Sequence, residues 1–296
     1  MRWGTSNIKN ITYLIKVNHP LFCNSNATAL FTILVITIIP YNLFNHWDRL
    51  YPISKLLRMK KIILLLTLIP FIGMSQKNVM NAQRVFVKMD KVLEFEKGIS
   101  AHAQKYHTGE FSWRISEIVS GPDAGGYQIS EGPSSWDAID SRGNLGNEHN
   151  IDWNKNVAIY LTERGGQSYS TYQDSISTIA LNDWSDKISI THYVTKIGHG
   201  YNMWTLLENL RPVWKALGQS VAVFASSSSG PNQYAVVTRY KNGLKDRELS
   251  NNNLFKKQYE LIHGNFAYTG FTETMRNSVA EVWHELLFYR KDLSSK

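Results

Sequence analysis

Two short segments, Ser120-Gly121-Pro122-Asp123 and Ser229-Gly230-Pro231-Asn232, lie 109 positions apart and constrain this chain more than any other feature. Each has a local cause, because glycine, proline and a small polar residue favour a tight reversal. Each falls between strand-like runs: Trp113–Ser120 and Tyr127–Ser130 around the first, Val221–Ser226 and Tyr234–Tyr240 around the second. Upstream of the first lie a strand-like run at Arg84–Met89 and a helix-patterned stretch from Val92 to about His107, with Leu93, Phe95, Ile99 and Ala103 near helical spacing. Upstream of the second lie a strand-like Ile190–Ile197 and a helix over about Tyr201–Leu217, with Met203, Leu207, Leu210 and Trp214 on one stripe. The strand starts, Val85 and His192, are 107 apart, and Asp183–Ser189 and Phe288–Ser294 close the copies at a spacing of 105. One nearly constant offset through three landmarks predicts an internal duplication, with repeats over residues 83–189 and 190–293.

Each repeat continues with helical material and a last strand. In the first these are about Asn150–Thr162, then Tyr169–Ser175, then a strand over Thr178–Trp184. In the second they are Asn253–His263, Phe271–Ser278 and a strand over Glu281–Tyr289. Each copy thus reads as βαββαβ, the ferredoxin-like order, and the class as α+β. This order and the paired turns resemble the dimeric α/β-barrel superfamily, which includes cofactor-free antibiotic-biosynthesis monooxygenases, NIPSNAP-like proteins and haem-binding chlorite dismutases. The resemblance covers residues 83–293 and rests on element order and duplication, not on a catalytic motif. It implies two tandem units whose sheets face each other as a barrel within one chain. The physical reason for pairing is that a four-stranded sheet with helices on one face leaves its other apolar face needing cover. Self-association beyond that, as a homo-oligomer, stays open.

The N-terminal quarter reads differently. Met59-Lys60-Lys61, the apolar run Ile62–Ile72 and the small residues Gly73 and Ser75 have the order of an export signal over 59–76. The expected address is therefore periplasmic or extracellular. Residues 1–58 read as an over-extended start ahead of Met59, or else as carrying a membrane segment at 27–44 that would anchor the chain. An intact mass that includes residues 1–58 would refute the over-extended start. The formal charge of +8 sits mostly here: residues 1–76 hold eight bases and one acid, leaving 24 bases against 23 acids beyond them. The body is nearly neutral, so no nucleic-acid partner is expected. The single cysteine, Cys23, also lies in the leader, so the body has no disulfide and no cysteine metal site.

Candidate chemistry is sparse. A barrel can enclose a small-molecule cavity, and the body is rich in tryptophan. Tyr106 and His107 at the end of the first helix, beside Trp113, form the most suggestive polar-aromatic cluster, with Trp204 and Trp214 as further candidate ligand contacts. His107 is the candidate general base. His102 and His107, five apart, would sit about 140° apart on one continuous helix, which makes them poor joint ligands, and no metal is expected. No Gly-x-Ser-x-Gly, P-loop or His-Glu-x-x-His pattern occurs. The expected function is binding of a small apolar or aromatic molecule. The resemblance adds two alternatives, a cofactor-free monooxygenase-like enzyme and a haem-binding barrel with one axial histidine.

Overall fold

The computed structural model describes residues 76–248 and 252–296, which belong to the compact unit Gly73–Lys296. The export signal, apart from Gln76, and the run at 27–44 lie outside the described residues. No helix among the described residues is long and apolar enough to cross a membrane.

Eight strands form one closed antiparallel barrel: β1 (Val79–Val87), β2 (Trp113–Ser120), β3 (Tyr127–Ser134), β4 (Leu161–Tyr172), β5 (Lys187–Thr195), β6 (Val221–Ser227), β7 (Gln233–Arg239) and β8 (Val279–Tyr289). Six helices lie between them: α1 (Val92–Tyr106), α2 (Trp136–Ser141), α3 (Asn147–Asn156), α4 (Gly200–Ala216), α5 (Asn252–His263) and α6 (Ala267–Ser278). Around the ring the order is β1-β3-β2-β8-β5-β7-β6-β4. Within it β4-β1-β3-β2 runs into β8-β5-β7-β6, the same order with each number raised by four. The ring closes where β2 pairs with β8 and β4 with β6.

Strand alternation sorts side chains into an outer and an inner set. On one outer face Phe95, Ile99 and Ala103 of α1 pack on Ile115, Tyr127 and Ile129. On the other, Met203, Leu207, Leu210 and Trp214 of α4 pack on Val221, Val223 and Val236. A third cluster lies on the inner faces, where Met80, Ile118, Tyr172, Ile190, Phe224 and Leu287 meet.

The two turns sit in the β2–β3 and β6–β7 connections, and Gly121 and Gly230 take φ of +99° and +69°. The last strand of the first half differs from expectation. It is β4, Leu161–Tyr172, which takes up 169–172 of the segment 169–175 expected to be helical, while a single 3-10 turn, Asp174–Ile176, follows it. Segment 178–184 is irregular. Leu181 there is buried, and it and Trp184 pack into the inner cluster. Arg239 secures this loop by donating to the carbonyls of Ala180, Leu181 and Asp183. In β4, Gly165 faces the Arg84 carbonyl so closely that a Cβ there would come within 2.8 Å of the oxygen.

The helices α1 and α3 cross at Gly98. A Cβ at that position would lie 1.8 Å from the carbonyl oxygen of Asn156. Gly98→Ala would gain roughly 0.5–1 kcal/mol of helix propensity. The clash is with backbone, which yields less readily than a side chain, so overpacking at about 1–3 kcal/mol wins. Chemical denaturation should show a net loss of stability, and unchanged or improved stability would refute this packing.

Candidate functional site

The barrel encloses a cavity of about 340 Å³, within the range of roughly 300–1,000 Å³ usual for small-molecule sites. Its wall combines apolar and aromatic side chains, among them Met80, Ile190, Phe224, Trp184 and Trp283, with three cations, Arg84, Arg114 and Arg239. These arginines differ in their partners. The Arg84 guanidinium forks onto Glu285 at 2.5 and 2.6 Å and also reaches Asp123 at 2.5 Å. Among the described residues neither Arg114 nor Arg239 is in an ion pair. Instead Arg114 lies over the rings of Trp184 (4.6 Å) and Tyr289 (4.0 Å), and Arg239 over the same Trp184 at 4.8 Å. Burial lowers the pKa of both, that of Arg239 to about 10, and a guanidinium keeps its charge at neutral pH. Ser185, next to Trp184 in the chain, lines the cavity with a buried hydroxyl that has no hydrogen-bond partner among the described residues.

His192 also lines this cavity. It stands opposite Trp283 in the β5–β8 ladder, with the two rings stacked at 4.6 Å and 9°. Its Nε2 lies 3.1 Å from Glu285. The Glu285 side chain is fully buried, which opposes its charge. Hydrogen bonds from His192 and Arg84 and the Arg84 charge override burial and hold its carboxyl at about 2. An iron ligated by His192 through Nε2 would have to displace Glu285 from it.

A second cluster lies outside the ring, where α1 and α3 meet the start of β2. It contains three sequence candidates, Tyr106, His107 and Trp113, but none of them lines the cavity. Trp113 is buried in the outer core and stacks on the His107 ring at 3.5 Å. Trp204 and Trp214 are elsewhere, in the outer core under α4. The expectation that His102 and His107 cannot share a site needs correction. The helix ends at Tyr106, and His107 has φ −114° and ψ 84°. The chain therefore leaves the helix, and the 140° offset of a continuous helix does not apply. His107 Nε2 comes within 3.4 Å of His102 Nε2 and 3.4 Å of Nε2 of His149, a residue of α3 that no spacing pattern singled out.

The ring nitrogens on the other side have oxygen neighbours. His102 Nδ1 is 2.7 Å from Asp152, His107 Nδ1 is 3.4 Å from Glu131, and His149 Nδ1 is 3.2 Å from Asn150. Glu131 also accepts from Trp113 Nε1 at 2.8 Å and from Arg142 at 2.6 Å. Burial pushes the His107 pKa down to about 4 despite Glu131, and burial likewise lowers that of His102 despite Asp152, so the His107 ring is neutral at pH 7.

This ring of eight antiparallel strands with helices outside is the barrel that the order of elements in the sequence implies. No protein-family model matches the chain, and no curated protein matches it. Solved structures similar to it include an inferred monooxygenase from Fusobacterium nucleatum subsp. nucleatum, at 12% identity and a TM-score of 0.48, covering 72% of this chain and 92% of that one. Another inferred monooxygenase, from Lactobacillus acidophilus, is 11% identical at a TM-score of 0.45, covering 75% and 97%. A heme-binding protein from Thermus thermophilus is 10% identical at 0.42, covering 73% and 92%. The strand order, not these likenesses, carries the fold assignment.

Proposed function

We propose that this chain is an exported barrel of two ferredoxin-like copies that binds a small anion with an aromatic or apolar body. The observation that carries the binding reading is Arg114: a desolvated cation on the cavity wall, outside any ion pair among the described residues. A buried charge is costly without a counter-charge, and a ligand carboxylate would supply one. The Ser185 hydroxyl offers that anion a hydrogen bond. Trp184, Trp283 and Phe224 offer the body flat apolar contact. The Met59–Gln76 pattern supports export, and the order of strands in the two halves supports the duplication.

A calorimetric screen of aromatic carboxylates such as benzoate and indole-3-acetate against their neutral amides tests this. The acids should bind and the amides should not. Arg114→Ala should weaken acid binding about tenfold or more, since a hydrogen bond to a charged group is worth roughly 1.5–3 kcal/mol. Equal binding of acid and amide would overturn the anion reading.

The stacked His192 beside Glu285 favours a second reading, an enzyme that removes a proton from a bound phenol or similar acid. A histidine whose Nε2–H is held by a carboxylate keeps Nδ1 as a base. Oxygen uptake with a bound phenol, abolished in His192→Ala, would support a cofactor-free oxygenase. Binding without turnover would leave a carrier.

A further inference from the structure

We propose that His102, His107 and His149 bind a divalent transition-metal ion, zinc by preference, through their three Nε2 atoms. The argument begins with distance. Zinc–nitrogen bonds of about 2.0–2.1 Å at a tetrahedral angle hold two ligand nitrogens about 3.4 Å apart. His107 Nε2 lies 3.4 Å from Nε2 of both other histidines, and the ligand atoms of all three fall within 4.8 Å of one another.

Tautomers give the second argument. A metal-binding histidine usually donates its other N–H to an oxygen, which fixes the ring and leaves a lone pair for the metal. Here Asp152, Glu131 and Asn150 stand beside the three Nδ1 atoms. With every Nδ1 protonated, three Nε2 lone pairs meet at one point and repel unless a cation lies between them. Arg142, 3.2 Å from His107 Nδ1, could favour the other tautomer of that ring. His107 Nε2–H would then serve one of its two neighbours and leave the other facing it without a proton.

The donor set fixes the class of ion. Three imidazoles with neither thiolate nor carboxylate suit zinc, copper or nickel and not magnesium or calcium. The 3.4 Å separation of His107 Nε2 from each of the other two matches a tetrahedral angle better than the closer neighbouring ligands of a square copper(II) site, which favours zinc. The rings of Trp113, Trp153 and Tyr106 surround His102 at 5.0–5.6 Å, and His149 is only half-buried. The fourth position is thus left to water or a small anion on the His149 side. Because His102 lies on α1 and His149 on α3, the ion would clamp the two helices together.

The test uses protein purified from its producing cells, stripped with EDTA and titrated with Zn²⁺ by calorimetry, with Co²⁺ as a spectroscopic substitute. One zinc per chain is expected, together with the intense visible bands of tetrahedral cobalt. His149→Ala should weaken zinc binding at least about 100-fold, and Asp152→Asn about 10–100-fold as the loss of an outer partner. His149 is half-buried near the surface of α3, so this variant should keep its circular-dichroism spectrum. His284→Ala, at an exposed histidine of β8, should bind as the parent does. Absence of stoichiometric zinc, affinity unchanged in His149→Ala, or the pale spectrum of hydrated cobalt would each overturn the proposal. None of these outcomes bears on whether the barrel cavity takes an anion.

Discussion

Glu285→Ala is expected to cost the fold about 3–5 kcal/mol in chemical denaturation, the range for breaking a buried ion pair by removing one partner. An exposed pair would cost no more than about 1 kcal/mol, so the outcome turns on burial, and the Glu285 side chain has no accessible surface. Its carboxylate joins strands that are not neighbours in the ring: Arg84 on β1, which forks onto it, and His192 on β5. The variant leaves the Arg84 guanidinium with Asp123 as its sole carboxylate partner among the described residues. The acid limb should report the same interaction. Glu285 has an ordinary value of 4.5 and is held at about 2. Its contribution is then complete above about pH 4.5 and is lost as the pH falls toward 2. A shift of that size corresponds to roughly 3 kcal/mol, in line with the mutational range. Denaturation curves for the parent should therefore fall through this window, and those for Glu285→Ala should be flatter. A loss below about 1 kcal/mol would mean that Asp123 and Gln128 suffice for Arg84.

Much of the barrel was legible in the sequence because local signals and tertiary demands agree there. The Gly-Pro reversals lie between apolar runs, and β2 begins and ends at Trp113 and Ser120 as expected. The stripes of α1 and α4 have helical period because each helix covers one sheet face. β4 was missed for a physical reason. Its sequence, Leu-Thr-Glu-Arg-Gly-Gly-Gln-Ser-Tyr-Ser-Thr-Tyr, carries no apolar alternation, and most of it is exposed or half-buried. Its strand state comes from pairing with β1 and β6, which sequence periodicity does not record. The strand expected at 178–184 was an imitation. Ile179 and Leu181 alternate, but they do so because an irregular loop lays them against the inner cluster and not because they sit in a sheet.

The sites were less legible, since both depend on register and on where a helix stops. Tryptophan content pointed to an aromatic cavity, but strand register and the course of the loop through Trp184 decide which rings reach it. Trp283 does, while Trp113 and Trp214 belong to the outer clusters. The polar wall of the cavity is dispersed further. Arg84, Arg114 and His192 are each ordinary alone, and they line one cavity only because β1, β2 and β5 share one ring. The histidine cluster escaped for a different reason. An angle measured along an ideal helix put His102 and His107 apart, yet His107 is the cap residue beyond the helix end, with φ of −114°, and its ring lies against that of His102. His149, in a strongly polar helix 42 positions beyond His107, carried no spacing signal at all.

Trp113 separates these two views of the aromatic residues, because as a cavity contact it would matter to ligand and as a core residue to stability. Trp113→Ala is expected to destabilise the fold by about 3–5 kcal/mol, the usual cost of deleting a buried large aromatic ring. The ring is 7% exposed, packs in the cluster under α1 and stacks on His107. Its Nε1–H also donates to Glu131, whose carboxyl is held below its ordinary value, against burial, by hydrogen bonds from His107 and Trp113 and by the Arg142 charge. Trp113→Phe isolates that donor. It retains most of the apolar bulk and leaves Glu131 bonded to Arg142, so a smaller loss of about 1–3 kcal/mol is expected. Neither variant should change the affinity of a folded protein for an aromatic anion, since the ring does not line the cavity. Denaturation and calorimetry on the Phe variant read the two effects separately. A stability loss in Trp113→Phe as large as that in Trp113→Ala would place the whole contribution in the Glu131 bond, and a selective fall in anion affinity would return Trp113 to the ligand site.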